Sequence, residues 1–527
     1  MIGSFRQSMT WLHTWAGLLF VWIMYFMFVT GTLGYFDTEI DHWMEPELAA
    51  LETTPRDERI ATGLAYLQEN AGNAERWFLS FALDREQPHL RVNWTIPAQE
   101  EGGDREFGSE RLHSVTGEPL DEIARDTGGG QLLYRMHYLL HYLDRDIAYR
   151  FIVAAITLIM FIGMISGIIA HKKIFKDFFT FRPKKGQRSW LDMHNLLSVT
   201  SLPFLIMISY SGLLFVTTMW MPLIAVGSLG FDTEKASDLI GGFDIKVESA
   251  GEPTQMTDVI ALIEAAEADW GEGSVHGFQV RQPNDANARI LLSKEESFSR
   301  IPDTRVYDGV TGEYVQSLEL PPSNALNVAS VMIALHEGLF AGISLRWLYF
   351  LTGLLGTAMV GTGAIYWVSK RRKKYTAGNE SFGFRFVEVL NVGTIIGLPI
   401  AVAAFFWANR LLPFGLENRG EWEAHVMFAV WGLCILYPMV RTVAVSWREL
   451  SWIAAFAYMA LPVLNAITTD HGIFSSVNRG DWVMAGFDLT ALATGVVFAV
   501  AALVMRRGRL AVTKPAVMST AETAPST

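Results

Sequence analysis

The sequence predicts a mainly α membrane protein with eight transmembrane helices, the first four forming a core built as an internal repeat, and with two periplasmic α+β modules. Three observations predict it. Eight apolar runs are each long enough, at about 1.5 Å per residue, to cross roughly 30 Å of hydrocarbon. Two long acidic segments alternate with short basic loops between the first four runs. Short motifs also recur at separations of 181 to 199 residues, the mark of a duplicated unit.

Taken in order, the run Trp11 to Phe36 is too long for a signal-peptide core and lacks a small-residue cleavage pattern, so residues 1–36 are expected to be a retained first helix. Residues 37–146 form the first module and 147–171 the second helix, around Phe151 to Ala170. A basic cytoplasmic loop follows at 172–190, then the third helix at 191–221 and the second module at 222–327. An interfacial segment with the fourth helix occupies 328–369, and a second basic loop, opening Lys370-Arg-Arg-Lys-Lys, occupies 370–383. Short loops rich in Lys and Arg stay on the cytoplasmic side. Four more helices are expected in 384–508, closed by Arg506-Arg-Gly-Arg, before a disordered cytoplasmic tail at 509–527 rich in Ala, Thr, Pro and Ser. An even count puts both termini in the cytoplasm of a bacterial inner-membrane protein.

Each module carries a helical pattern, at Ile60 to Glu69 and Met256 to Ala268. Alternating stretches follow, Leu90-Arg-Val-Asn-Trp and Ala288-Arg-Ile-Leu-Leu, and then a Thr-Gly-Glu turn. This predicts one helix against a small antiparallel sheet, twice.

Composition excludes several chemistries. The 527 residues contain one cysteine, Cys434, so intrachain disulfides, iron–sulfur clusters and multi-thiolate metal sites are ruled out. No Cys-x-x-Cys-His occurs, so a haem would be of the non-covalent b type. The net charge of −12 is concentrated in the two modules and predicts no nucleic-acid partner. No glycine-rich nucleotide loop and no His-Glu-x-x-His is present.

Six histidines flank the spans, and ionisable groups at a bilayer boundary tend to mark sites. By topology His13, His171 and His194 lie at the cytoplasmic ends, and His137, His141 and His336 at the outer ends. An offset of 181 superposes His13 on His194 and Gly31 on Gly212; one of 199 superposes His137 on His336. Imidazoles from different helices are a common pair of axial haem ligands. The repeat therefore nominates His13 with His194 and His137 with His336 as metal ligands of two b haems. His171, matched by Trp367 in the second half, stays open as a ligand, a propionate partner or an interfacial side chain. His141, four residues after His137, is expected on the same helix face as a ligand or supporting donor. For His171 and for the outer three, His137, His141 and His336, an ordinary role at the interface is the competing reading. Glycines including Gly31, Gly163, Gly167 and Gly363 let a backbone or a flat cofactor approach, helix packing being the default.

The ordered set Trp11-Leu-His-Thr-Trp-Ala-Gly-Leu, Thr30-Gly, Met136-His-Tyr-Leu-Leu-His, Asp192-Met-His-Asn-Leu-Leu-Ser-Val, Tyr210-Ser-Gly, Leu335-His-Glu-Gly-Leu-Phe and Leu351-Thr-Gly-Leu-Leu-Gly, with both Thr-Gly-Glu turns, resembles the PepSY-associated transmembrane family over residues 1 to 375. The resemblance implies two b haems in a four-helix core with PepSY-like modules. It also implies an oxidoreductase that reduces ferric siderophores or another ferric chelate outside the membrane for iron uptake. A quinol or reduced flavoprotein would be the cytoplasmic-side donor. The four helices after residue 384 depart from the minimal pattern. Two alternatives remain at this point: a non-enzymatic membrane protein that binds or regulates a periplasmic partner, and a transporter.

Overall fold

The computed structural model describes residues 4–49, 51–85, 87–97, 105–171, 173, 176, 178–215, 245–294, 303–318, 324–375 and 379–512. The start of the second module, part of the first basic loop and most of the expected tail lie outside the described residues. The chain forms two compact units, Met1–Lys370 and Arg371–Thr527. Eight helical segments are long and apolar enough to cross a membrane, and this is a multi-pass membrane protein.

In the first unit, α1 (Phe5–Leu33) runs through a short turn into α2 (Asp37–Met44), extending the first span beyond the expected end at Phe36. The acidic residues there do not stop the helix because each has a partner. Arg85 donates from Nε and Nη2 to Glu39 at 2.8 and 2.6 Å, and Arg346 reaches the same carboxylate at 2.6 Å. Gln131 donates to Asp37 and the Gly130 amide to Asp41. These bonds tie the first helix to the module and to the fourth span.

The first module contributes α3 (Arg56–Asn70), β1 (Arg76–Ser80), β2 (Leu90–Ile96) and β3 (Glu106–Leu112), then a surface helix α4 (Gly129–Leu139). The second span is α5 (Ala154–Ala170), entered through a π-helical turn at Ile147–Val153, and the third is α6 (Gln187–Leu214). The second module repeats the order with α7 (Val259–Trp270), β4 (Val275–Arg281), β5 (Arg289–Lys294), β6 (Asp303–Asp308) and β7 (Tyr314–Leu318). The surface helix α8 (Asn324–Glu337) and the fourth span α9 (Ile343–Arg371) follow. The two Thr-Gly turns are alike: Gly117 and Gly312 both sit at φ +75°, which only glycine adopts without strain.

The modules do not form separate sheets. The equivalent strands β1 and β4 pair antiparallel, Phe78 opposite Gln279, and fuse both halves into one seven-stranded sheet of order β3-β2-β1-β4-β5-β6-β7. Pairing equivalent edges satisfies two rows of backbone groups that would otherwise stay open. It also gives both halves one core, in which Ile60, Leu67, Leu79 and Val92 meet Ile263, Phe278, Val280 and Ile290. Both modules therefore lie on one face of the membrane.

The second unit comprises α10 (Phe382–Ile395) and α11 (Gly397–Leu411), which form one span, then α12 (Arg419–Val440), α13 (Val443–Met459) with α14 (Leu461–Thr468), the short α15 (Ile473–Arg479), and α16 (Trp482–Val512).

Candidate functional site: two histidine pairs

Burying an imidazole beside lipid is costly unless its ring nitrogens have work to do. The structure brings four of the six nominated histidines together, in the two pairs the repeat predicts. His13 on α1 faces His194 on α6 with ring centres 6.3 Å apart and planes at 53°. His137 on α4 faces His336 on α8, also at 6.3 Å, with planes at 46°.

That spacing has a chemical meaning. A metal–imidazole nitrogen bond is about 2.0 Å and a ring centre lies about 1.1 Å behind its nitrogen, so two imidazoles on opposite sides of one ion have centres about 6.2 Å apart. Among the described residues no cluster of three or more His, Cys, Asp or Glu that could hold a bare ion occurs. Two ligands alone suit an iron whose remaining positions come from a macrocycle.

Each ring is fixed through Nδ1. His13 bonds the Gly163 carbonyl at 2.8 Å, His194 that of Met359 at 2.9 Å and His137 that of Met27 at 2.7 Å. A carbonyl can only accept, so Nδ1 carries the proton and Nε2 is left with its lone pair, the tautomer a metal requires. His336 Nδ1 lies 2.9 Å from Ser211 Oγ, whose own hydrogen is directed at the Met207 carbonyl. Burial lowers the pKa of His137 and pushes that of His336 down to about 3, His137 adding to the latter shift, so both outer rings stay neutral at ordinary pH.

A shared seat explains the geometry. For three of the rings the accepting carbonyl belongs to a residue four positions before a glycine: Gly163 before Gly167, Met359 before Gly363 and Met27 before Gly31, while His336 stands beside Gly212 and bonds the Ser211 hydroxyl. Helical Cβ atoms lean toward the N-terminus, so a side chain at i+4 would stand beside the carbonyl of residue i and block it. A Cβ on Gly31 would meet His137 Nδ1 at 2.6 Å, one on Gly167 would meet His13 Cε1 at 2.9 Å, one on Gly363 His194 Cε1 at 3.1 Å and one on Gly212 His336 Cε1 at 3.2 Å. The four glycines admit rings, not only helices. The sequence signal was there, in glycines matched at the repeat offset, but the carbonyl partner cannot be read from residue types.

His171 and His141 are placed otherwise. His171 caps α5 and its Nε2 lies 3.0 Å from Asn195 Nδ2, next to His194 but outside the pair. His141 does not share a helix face with His137, because α4 ends at Leu139 and both Leu140 and His141 take left-handed backbone conformations, φ +53° and +52°. Its ring packs instead on Tyr142.

Supporting residues escaped the sequence reading. Asp192, two positions before His194, is buried under Arg182 and Arg188 at 2.9 and 3.0 Å, anchoring the start of α6. Tyr349 donates to the Leu335 carbonyl at 3.0 Å and Tyr35 approaches that of His336 at 3.3 Å, fixing the end of α8.

The arrangement defines a membrane protein whose repeated four-helix core carries two opposed histidine pairs beneath an extramembrane sheet. The family model for the PepSY-associated TM region matches residues 10–370, over half of the chain, and the chain belongs to that family. No curated protein sequence matches it significantly.

Proposed function

We propose that the chain is an inner-membrane di-haem b oxidoreductase that moves electrons across the bilayer to reduce a ferric chelate, of the ferric-siderophore class, on the periplasmic side for iron uptake. The observation that carries the reading is the pair of facing imidazoles, 6.3 Å apart, found twice. Met27, which seats the outer pair, lies fourteen residues beyond His13 on α1, about 21 Å along the axis. The two pairs thus sit toward opposite ends of one core.

Bound between such pairs, haem b supplies the one-electron Fe(III)/Fe(II) couple that amino-acid side chains lack. The protein's part is to hold neutral Nε2 ligands: the carbonyl seats fix each ring's tautomer and direction, and the glycines admit the rings at that distance. By the preference of short basic loops for the cytoplasm, the His13–His194 pair would face that side, where a quinol or reduced flavoprotein would donate. One quinol gives up two electrons and two protons, enough for two ferric ions. Reduction to Fe(II) weakens binding by hard oxygen donors and releases the metal. The ferric substrate class comes from the family resemblance, and the ring pairs supply the redox part.

Pyridine-haemochrome quantification tests the reading. The purified chain is expected to carry two haems. His13→Ala and His194→Ala should each remove one, and His137→Ala and His336→Ala the other. In proteoliposomes with donor inside, any of the four should abolish reduction of an external ferric chelate. Full haem retention in all four variants would sink the proposal.

A further inference from the structure

The two halves of the outer site are not equal, and the inequality lies in one hydroxyl. The 181-residue offset that matches Gly31 with Gly212 also matches Thr30 with Ser211 and Met27 with Ile208. Thr30 Oγ1 turns back onto its own helix, donating to the Phe26 carbonyl at 2.9 Å and lying 3.3 Å from that of Met27. His137 therefore relies on the Met27 carbonyl alone. Ser211 makes the same back-contacts, donating to the Met207 carbonyl at 2.6 Å and lying 3.2 Å from that of Ile208, and adds one more: its oxygen accepts from His336 Nδ1 at 2.9 Å. Phe215 packs edge-on against the same ring, with centres 5.3 Å apart. Ser211 is fully buried, so no water competes for this bond.

We propose that Ser211 is a positioning residue that sets the reduction potential of the outer centre through His336, a role its repeat mate Thr30 does not share. This rests on the reading that the histidine pairs hold haem iron. An acceptor on Nδ1–H makes the imidazole a more basic ligand, and a more basic axial ligand favours the ferric state. The serine oxygen is the acceptor that faces that N–H, so it holds the outer couple at a lower potential than the same ring without it would have. A low potential there suits delivery of electrons to Fe(III) in oxygen-rich chelates, which hard donors make difficult to reduce.

The test is a spectroelectrochemical titration of the full-length chain in detergent, comparing wild type with Ser211→Ala, Ser211→Cys and Thr30→Ala. Each alanine variant deletes a buried hydroxyl beside the same outer pair, so a general packing effect would act on both. Ser211→Ala should move one of the two midpoints upward and leave the other in place. Ser211→Cys, whose sulfur is a weak acceptor, should move the same midpoint less far, and Thr30→Ala should move neither. Equal shifts in Ser211→Ala and Thr30→Ala, or no shift in Ser211→Ala with both haems present, would overturn the role given to Ser211 and leave the di-haem reading standing. A wild-type chain purified without haem would remove both.

Discussion

The two four-span units differ in what their glycines meet: both pack helices on some of them, as Gly353 against Thr32 in the first unit, but the first also seats rings on four. In the second unit the span formed by α10 and α11 is 78% buried, wrapped by its neighbours, and its glycines meet another helix: a Cβ on Gly393 would lie 2.6 Å from the Ile435 Cα, and one on Gly397 2.6 Å from the Cys434 Cβ. In the first unit no span is more than 39% buried by protein, and Gly31, Gly167, Gly212 and Gly363 meet imidazole rings. Buried charge in the second unit is neutralised internally: Arg419 pairs with Glu423 at 2.6 Å, Asn409 bonds Glu423, and Arg410 bonds Asn465, which in turn bonds Asp488. The first unit pairs buried charge as well, Asp192 with Arg182 and Arg188, and in addition holds four imidazole rings through Nδ1. One unit is built around a helix, the other around two pairs of rings.

The largest effect is expected where a glycine seat closes most tightly. Gly31→Val places a β-branched side chain where even a Cβ would stand 2.6 Å from His137 Nδ1. The ring must leave the Met27 carbonyl, and the outer haem should be lost while the inner one stays, halving the haemochrome yield. If Gly31→Val keeps both haems, the seats are helix contacts and the contrast between the units collapses.

Glu423→Gln should strike the other unit alone. Arg419 is 1% exposed and Glu423 fully buried. Removing one charge of such a pair leaves the other uncompensated, at a cost of about 3–5 kcal/mol. The expected outcome is a clear fall in thermal midpoint of the solubilised chain with the Soret spectrum at 25 °C unchanged. Gly393→Ala, which crowds Ile435, should do the same more weakly, by about 1–3 kcal/mol. Loss of haem in either variant would show that the units are not independent in function.

Much of this contrast was legible in the sequence, for physical reasons. Lipid demands about twenty apolar residues per crossing, so all eight spans were visible, while their ends were not: partners such as Arg85 and Arg346 let α1 continue into α2, and the third span begins at Gln187 rather than at 191. The histidine pairs were visible because duplication stamps both halves with one pattern. Three features were not. The fusion of β1 with β4 joins residues some two hundred positions apart, and nothing local in Arg76–Ser80 specifies it. The end of α4 was hidden because Leu140, not a glycine, takes the left-handed cap, so His141 looked like part of the helix. The carbonyl seats were hidden because a backbone oxygen has no letter in the sequence.

The smallest effect should come from Gly212→Ala, and its sign tests how the outer pair is held. The new Cβ would lie 3.2 Å from His336 Cε1 and 3.4 Å from Thr157 Cγ2, so the ring has to yield by only a few tenths of an ångström. Against that stands the helix preference for alanine over glycine, worth about 1 kcal/mol in α6. Because His336 Nδ1 bonds a side-chain hydroxyl, which can follow the ring, rather than a fixed carbonyl, the ring can shift without losing its tautomer. Gly212→Ala should therefore retain both haems and leave the thermal midpoint equal to or slightly above wild type. Gly31→Ala, whose ring has a single carbonyl anchor and a tighter seat, should lower both haem content and midpoint. Identical behaviour of the two alanine variants would mean that the hydroxyl adds nothing to the way His336 is held, and the outer pair would then be as symmetric as the repeat that produced it.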